Sequence, residues 1–234
     1  MVLTKLSIII PCYNEEKTII ETINNIKLYS KISYEIIIVD DGSKDGTKNL
    51  LKNFVKKENI KLIFKDRNEG KGSAIIEGLK HVTGDITLIQ DADLEYSPKD
   101  YKLLLRPFLE ADADVVYGSR FLGGSGYVRL HYYFHFIANK LLTNFCNIFT
   151  NLNMTDMETG YKVFRTEVIK SIYLVEKSFT IEPEITIKLA KKNFKFFEVG
   201  ISYKGRSYKE GKKITFKDAL YALLAIVKYG LLNK

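Results

Sequence analysis

The chain has 234 residues, with 36 Lys and Arg against 28 Asp and Glu, for a formal net charge of +8. That length can bury a sizeable single core, and the basic excess suits nucleic acid, an anionic membrane surface or phosphorylated substrates without choosing among them. Cys12 and Cys146 lie far apart with no metal-type spacing, which argues against a disulfide scaffold and favours a reducing compartment. No run reaches the roughly 20 apolar residues of a transmembrane helix; the nearest, 219–232, is interrupted by Lys228. The opening "MVLTKLSIIIPCYNEE" has too short an apolar run for a signal peptide, and acids follow it directly. A cytoplasmic chain, soluble or lying on a membrane face, is expected.

Taken in order, "LSIII" (6–10), "EIIIV" (35–39), "KLIF" (61–64), "ITLIQ" (86–90) and "DVVYG" (114–118) read as buried strands. Residues 15–29, 46–57, 72–82 and 98–110 carry apolar residues at helical spacing between them. Near-continuous Ile, Val and Leu strands alternating with helices predict an α/β fold, a mostly parallel central sheet with helices on both faces. Beyond residue 119 come a glycine-rich loop, a long aromatic segment, "DMETGYKVFR", a helix near 182–192, a strand near 195–203, the basic loop "KGRSYKEGKK" and a terminal helix. Without repeats or low-complexity linkers, 1–234 reads as one domain, whose pattern changes between 1–118 and 119–234.

Such sheets bind ligands beyond the carboxyl ends of their strands. There the sequence places "PCYNEE", "DDGSKDGT", "DRNEGKGS" and "DADLEY", four polar clusters on one predicted edge. In "DADLEY", Asp91 and Asp93 project the same way from an extended segment, and with Glu95 they offer the oxygen-rich shell that Mg²⁺ or Mn²⁺ prefers. Capping of the next helix is the plainer role, but Ser97 and Pro98 already supply that start. Asp41, at the end of a buried strand, suits the N–H of a nucleobase or a ribose hydroxyl; an Asx-rich turn is its plainer role. Gly70, Lys71 and Gly72 open a helix and can approach a diphosphate, or simply form a tight turn. His131 and His135 lack the further ligands of a zinc site. Arg120, Arg129, Arg206, Lys212 and Lys213 lie in or beside glycine-containing loops, where they are either surface charge or a second anion site.

"IIIPCYNEE", "IIIVDDGSKDGT", "NEGKGSAI" and "DADLEY", in this order and spacing, resemble the family 2 glycosyltransferases of the GT-A fold. "VVYGSR", "DMETGYKVFR", "IEPEI" and "YKGRSYKEGKKI" are similar to the polyprenyl-phosphate branch, the dolichyl-phosphate mannose or glucose synthases. The resemblance runs from about residue 5 to 225. It implies that Pro11, Tyr13, Glu15, Asp41, Lys71, Asp91 and Asp93 bind the nucleotide sugar, with Asp41 on the base. It implies a divalent metal, Mg²⁺ or Mn²⁺, on Asp91, Asp93 and Glu95, with Asp93 also catalytic. Arg120, Arg129, Arg206 and Lys213 would hold the acceptor lipid phosphate. Asp156 stands where related transferases that use a hydroxyl acceptor place a general base. Two positions depart from the mannose synthases: Glu95 replaces a Gln, and "EGKKI" replaces a Ser-Lys pair.

The expected reaction is metal-dependent, inverting transfer of a hexose from a UDP-glucose or GDP-mannose type donor to a polyprenyl phosphate. A phosphate acceptor is already anionic near neutral pH, whereas a hydroxyl of a glycan, lipid or protein would need a base such as Asp156. The aromatic segment 127–149 and the terminal segment 216–232 either lie in a membrane interface or pack on the sheet. A separate membrane protein receiving the glycosylated lipid is compatible with this reading. A nucleic-acid partner is not expected, because no recognition helix or aromatic sheet motif is present.

Overall fold

The β-branched runs of the first half form the parallel strands β1 (Leu6–Cys12), β2 (Tyr34–Asp40), β3 (Ile60–Phe64) and β4 (Ile86–Ile89). Helices α1 (Ile19–Tyr29), α2 (Thr47–Phe54) and α3 (Lys71–Leu79) connect them. The structure, a computed structural model, describes residues 5–30, 32–54, 59–123, 132–206 and 216–231. Successive residues of each strand bury opposite faces. Ile8 and Ile10 pack with Ile36, Ile38 and Leu88 on the α1 side, whereas Ile9 packs with Ile37, Val39 and Ala74 on the α3 side. Burial on both faces is why these strands carry no polar alternation in the sequence.

A short 3₁₀ turn, Pro98–Asp100, leads into α4 (Tyr101–Glu110) and then β5 (Val115–Ser119). The Ser97 hydroxyl accepts the Lys99 N–H at 3.4 Å and Pro98 takes the first position, as the sequence predicts. The carboxylates of Asp91 and Asp93 are therefore not needed as caps. The remaining elements are α5 (Tyr133–Thr150), β6 (Lys162–Arg165), α6 (Thr166–Lys170), α7 (Ile181–Ala190), β7 (Phe196–Gly200) and α8 (Phe216–Leu231).

Among the described residues, seven strands form one sheet in the order β3-β2-β1-β4-β6-β5-β7. β6 runs antiparallel to both β4 and β5, and β5 and β7 are parallel. Sequence patterning missed β6, because its four residues "KVFR" carry a lysine and an arginine at buried positions. β6 and β7 lie beyond residue 118 yet belong to the same sheet as β1–β5. β1 pairs with β2 on one side and with β4 on the other. The chain therefore reverses its direction of winding at β1, which opens a crevice at the carboxyl ends of β1 and β4.

The opposite, amino-terminal edge is closed by side chains. Glu35 of β2 accepts hydrogen bonds from Ser7 Oγ (2.6 Å), Lys5 Nζ (2.7 Å) and the Thr83 N–H (2.7 Å), tying together the starts of β1, β2 and β4. Burial works against its charge, but Lys5, Ser7 and Thr83 prevail and hold the carboxyl down to about 2.

Helix α3 is seated on β1 through Gly78, where a Cβ would stand 2.6 Å from Ile9 Cγ2. Gly78→Ala gains up to about 1 kcal/mol of helix propensity but overpacks a fully buried contact, at a cost of about 1–3 kcal/mol. The net expectation is a lower urea midpoint for Gly78→Ala than for the parent chain. A raised midpoint would show that α3 does not sit tightly on Ile9.

Candidate active site

A cavity of about 720 Å³ opens at the carboxyl ends of β1 and β4. Pro11, Tyr13 and Glu15 border it after β1, Asp41 after β2, Lys71 at the start of α3, and Asp91, Asp93 and Glu95 after β4. Arg120, following β5, and Arg206, following β7, border it from the other side. Residues spread over almost 200 positions thus share one site. Arg129 and Lys213, also expected here, lie outside the described residues.

The loop after β4 turns through Leu94, whose φ is +62°. Asp93 accepts the Glu95 N–H at 3.2 Å. Burial pushes the Asp93 carboxyl up, the charges of Asp91 and Glu95 push it further, and Arg206 pulls it back, leaving it at about 7. Arg206 Nη2 lies 2.7 Å from Asp93 Oδ2 and Nη1 lies 3.3 Å from Glu15 Oε2. Glu95 faces elsewhere than expected: it accepts the Arg206 N–H at 2.6 Å and the Tyr203 hydroxyl at 2.8 Å. Among the described residues no three His, Cys, Asp or Glu side chains are grouped to hold a metal ion. Glu95 is thus engaged by Tyr203 and Arg206, while Asp91, Asp93 and Glu95 all border the cavity.

Lys71 joins the donor side of the cavity to its back wall. Its Nζ is 2.9 Å from Asp91 Oδ1 and 3.0 Å from Glu182 Oε1, and Glu182 Oε2 is 2.6 Å from Lys162 Nζ. Lys162, in β6, also donates to the carbonyls of Met157 (2.8 Å) and Thr159 (2.7 Å). Gly160 lets Asp91 and Tyr96 approach this loop, since a Cβ there would run into Asp91 Oδ2 and stand 2.9 Å from Tyr96 Cε2. Gly70 has φ +106° and faces the Lys177 carbonyl, so its lack of a side chain serves the turn. Its N–H donates to Asp41 Oδ2 at 2.7 Å, beside the Glu69 N–H at 3.0 Å, and Lys65 Nζ reaches Asp41 Oδ1 at 2.6 Å. Asp41 therefore borders the cavity with three donors already on it.

Asp156 does not border the cavity. It is fully buried, and Arg120 grips it with Nε at 2.7 Å and Nη2 at 2.6 Å, with a third bond from Asn139 at 3.0 Å. Glu198 of β7 fixes the same loop by accepting the Asp156 N–H at 3.2 Å. Burial alone would raise the Asp156 carboxyl, but Arg120 and Asn139 hold it below the ordinary carboxylate range. A carboxylate so placed is a poor proton acceptor. What Asp156 does is orient Arg120, whose Nη1 is the nitrogen it leaves untaken.

Three residues of this site were not singled out in the sequence. Glu182 and Glu158 both border the cavity, and Lys162 supports Glu182 from behind. "IEPEI" and "DMETG" carry the two glutamates, but nothing local in either segment distinguishes a cavity carboxyl from a surface one. The cavity then changes character. Between α5 and α8 its wall is mostly apolar, with Phe136, Leu142, Ala219 and Ala222, but includes His135, Asn139 and Asp218. A polar, charged floor thus passes into a more apolar section, with Arg120 and Glu158 among the residues bordering the same space.

Residues 7–173 match the family described as Glycosyl transferase family 2. An uncharacterized protein of Methanocaldococcus jannaschii is 30% identical over 240 residues, covering 94% of this chain and 97% of that protein. The dolichol-phosphate mannosyltransferase of Pyrococcus furiosus is 31% identical over 216 residues, covering 90% of this chain but only 60% of the longer relative. Among solved structures, glucosyl-3-phosphoglycerate synthase from Mycobacterium tuberculosis, in complex with Mn²⁺, UDP and phosphoglyceric acid, superposes with a TM-score of 0.74 at 17% identity. That likeness covers 99% of this chain and 80% of the synthase, and confirms the GT-A architecture. The chain is a glycosyltransferase and belongs to glycosyl transferase family 2.

Proposed function

We propose that the chain transfers a hexose from a nucleotide-diphosphate sugar to a polyprenyl phosphate, with inversion at the anomeric carbon. One observation carries this reading: a single cavity joins an acidic floor at the switch point of the sheet to an apolar section between α5 and α8. A phosphorylated isoprenoid has the matching division into anionic head and apolar tail. The Pyrococcus relative is named for such an acceptor.

The floor fits a divalent cation on chemical grounds. Asp93 is crowded by Asp91 and Glu95 and carries the Arg206 guanidinium in the position of a counter-cation. Asp91 and Asp93 would hold the ion together with donor phosphate oxygens. When bound, it supplies neutralisation of the diphosphate leaving group. The chain's own residues do the rest. Pro11 and Tyr13 flank the nucleotide, Glu15 holds Arg206, and Asp41 fixes the loop that presents Lys71. Lys71 stands beside Asp91, where it meets negative charge on the departing diphosphate. Arg120, oriented by Asp156, holds the acceptor phosphate on the far side. Attack from that side inverts the sugar.

The hydroxyl-acceptor alternative is weakened by Asp156, which is tied to Arg120 and lies off the cavity. The first test uses Mn²⁺ or Mg²⁺, a short polyprenyl phosphate in detergent and a panel of UDP- and GDP-sugars, with mass spectrometry of the lipid. The expected product is a glycosylated lipid phosphate, reduced on the order of a hundredfold or more in Asp93→Asn. Sugar-nucleotide hydrolysis with no lipid product would sink the phosphate-acceptor reading.

Asp156→Asn separates positioning from base catalysis. As a positioning change it should lower kcat/KM for the acceptor about tenfold while lowering thermal stability, since Arg120 is left buried and unpaired. A loss of about 10²–10⁴ in kcat, as removal of a general base produces, would reinstate proton abstraction.

A membrane face is part of the proposal. Among the described residues no helix is long and apolar enough to cross a bilayer. On α5, Phe134, Leu141 and Ile148 recur every seventh residue and are 82%, 65% and 75% exposed. On α8, which packs beside α5, Leu220, Leu224 and Leu231 are also exposed. Two adjacent apolar stripes flanking the apolar end of the cavity suit insertion at headgroup depth. Flotation with vesicles should carry the protein upward, more so with anionic lipid; no binding to either composition would remove the interfacial role.

A further inference from the structure

Glu158 stands at the cavity with no hydrogen bond or ion pair among the described residues, and its Oε1 is shut off from solvent. Its surroundings are otherwise balanced. Lys71 faces Asp91 and Glu182, Lys162 faces Glu182, and Arg120 faces Asp156. Three cations meet three carboxylates, and Glu158 is a fourth acid with no cation of its own. The groups that act on it are Glu182 from α7, Lys162 from β6, and Arg120 and Asp156 from the loops after β5 and before β6. Cys146 of α5 also faces it, and burial keeps that thiol neutral, pushed up to about 12. A neutral carboxyl satisfies this arrangement; an ionised one would be a bare buried charge. Consistently, burial and the Glu182 charge raise the Glu158 carboxyl to about 7 against the pull of Lys162 and Arg120.

We propose that Glu158 is a hydrogen-bond donor of the acceptor subsite, its neutral carboxyl O–H donating to a phosphate oxygen of the acceptor that Arg120 also contacts. The inference rests on the phosphate-acceptor reading above and adds a residue and a protonation state to it. An ionised glutamate at this place would repel a phosphate. A protonated one supplies the donor that a phosphate oxygen accepts. The acceptor is thereby selected as an anionic headgroup, and Glu158 becomes the group that ends its binding as pH rises.

The sign follows directly. Below about 7 Glu158 is mostly neutral and donates; above it, ionisation removes the donor and adds repulsion. The experiment measures kcat/KM for a short polyprenyl phosphate in detergent from pH 5.5 to 9, with saturating nucleotide sugar and Mn²⁺, for the full chain and for Glu158→Gln and Glu158→Ala. Glutamine is isosteric and keeps a donor at every pH, so comparing it with the parent chain cancels the acceptor's own titration. Glu158→Gln should lose severalfold at pH 6, yet its ratio to the parent chain should climb by up to about tenfold per pH unit above 7. Glu158→Ala should lose about tenfold or more at pH 6, with KM for the nucleotide sugar within about twofold in both variants. Thermal melts of both variants verify folding. A Gln-to-parent ratio that is flat or falls with pH overturns donation by Glu158 while leaving the phosphate acceptor intact. Absence of lipid product from the parent chain itself is a different failure: it removes the phosphate-acceptor reading, and this proposal with it.

Discussion

Four charges in a row, Asp91 and Lys71 at the cavity and Glu182 and Lys162 buried behind them, hold the site together. They come from the loop after β4, from α3, from α7 and from β6, so each contact joins a different pair of elements. Buried charges are tolerated only when paired and hydrogen-bonded. Loss of one partner from such a pair typically costs about 3–5 kcal/mol. The row therefore locks β6 and α7 onto α3 and the loop after β4, beside the point where the sheet reverses its winding. It also explains why α7 is buried on almost every side while carrying two glutamates in its first turn. Glu182 faces the lysines and Glu184 accepts the Val175 and Glu176 N–H groups.

The first half of the fold was legible because its strands are buried on both faces. Runs such as "IIIVD" fit a strand covered on both faces, and their polar followers fall on one edge by the geometry of parallel strands. The second half was less so. Lys162 is fully buried, yet lysine in a sequence reads as surface; its burial depends on two loop carbonyls and on Glu182, twenty residues on. β6 disappears from the pattern for that reason.

The site was legible in its acids and glycines but not in its partnerships. Asp156 was a recognisable carboxylate whose role depends on Arg120, 36 residues away. Arg206 meets Asp93 across 113 residues and Glu15 across 191. A residue type shows what a side chain can do, while the partner decides what it does. Only the fold supplies the partner, which is why the contacts of Asp156 with Arg120 and of Glu95 with Tyr203 and Arg206 could not be read from the sequence.

The two ends of the sheet show how partnership separates structure from chemistry. At the amino end, Glu35 receives Lys5, Ser7 and Thr83, and its carboxyl falls to about 2. At the carboxyl end, Asp93 and Glu158 are buried with fewer donors than acids, and both rise to about 7. Burial alone cannot make the difference, since it opposes charge at all three positions. Donor supply does. A fold that needs only stability gives each buried acid enough donors to stay ionised. The carboxyl end leaves some acids short, and the shortage is what a ligand's cations, hydroxyls and phosphates can answer. Under-supplied carboxyls, more than any single motif, therefore mark this edge of the sheet as the working one.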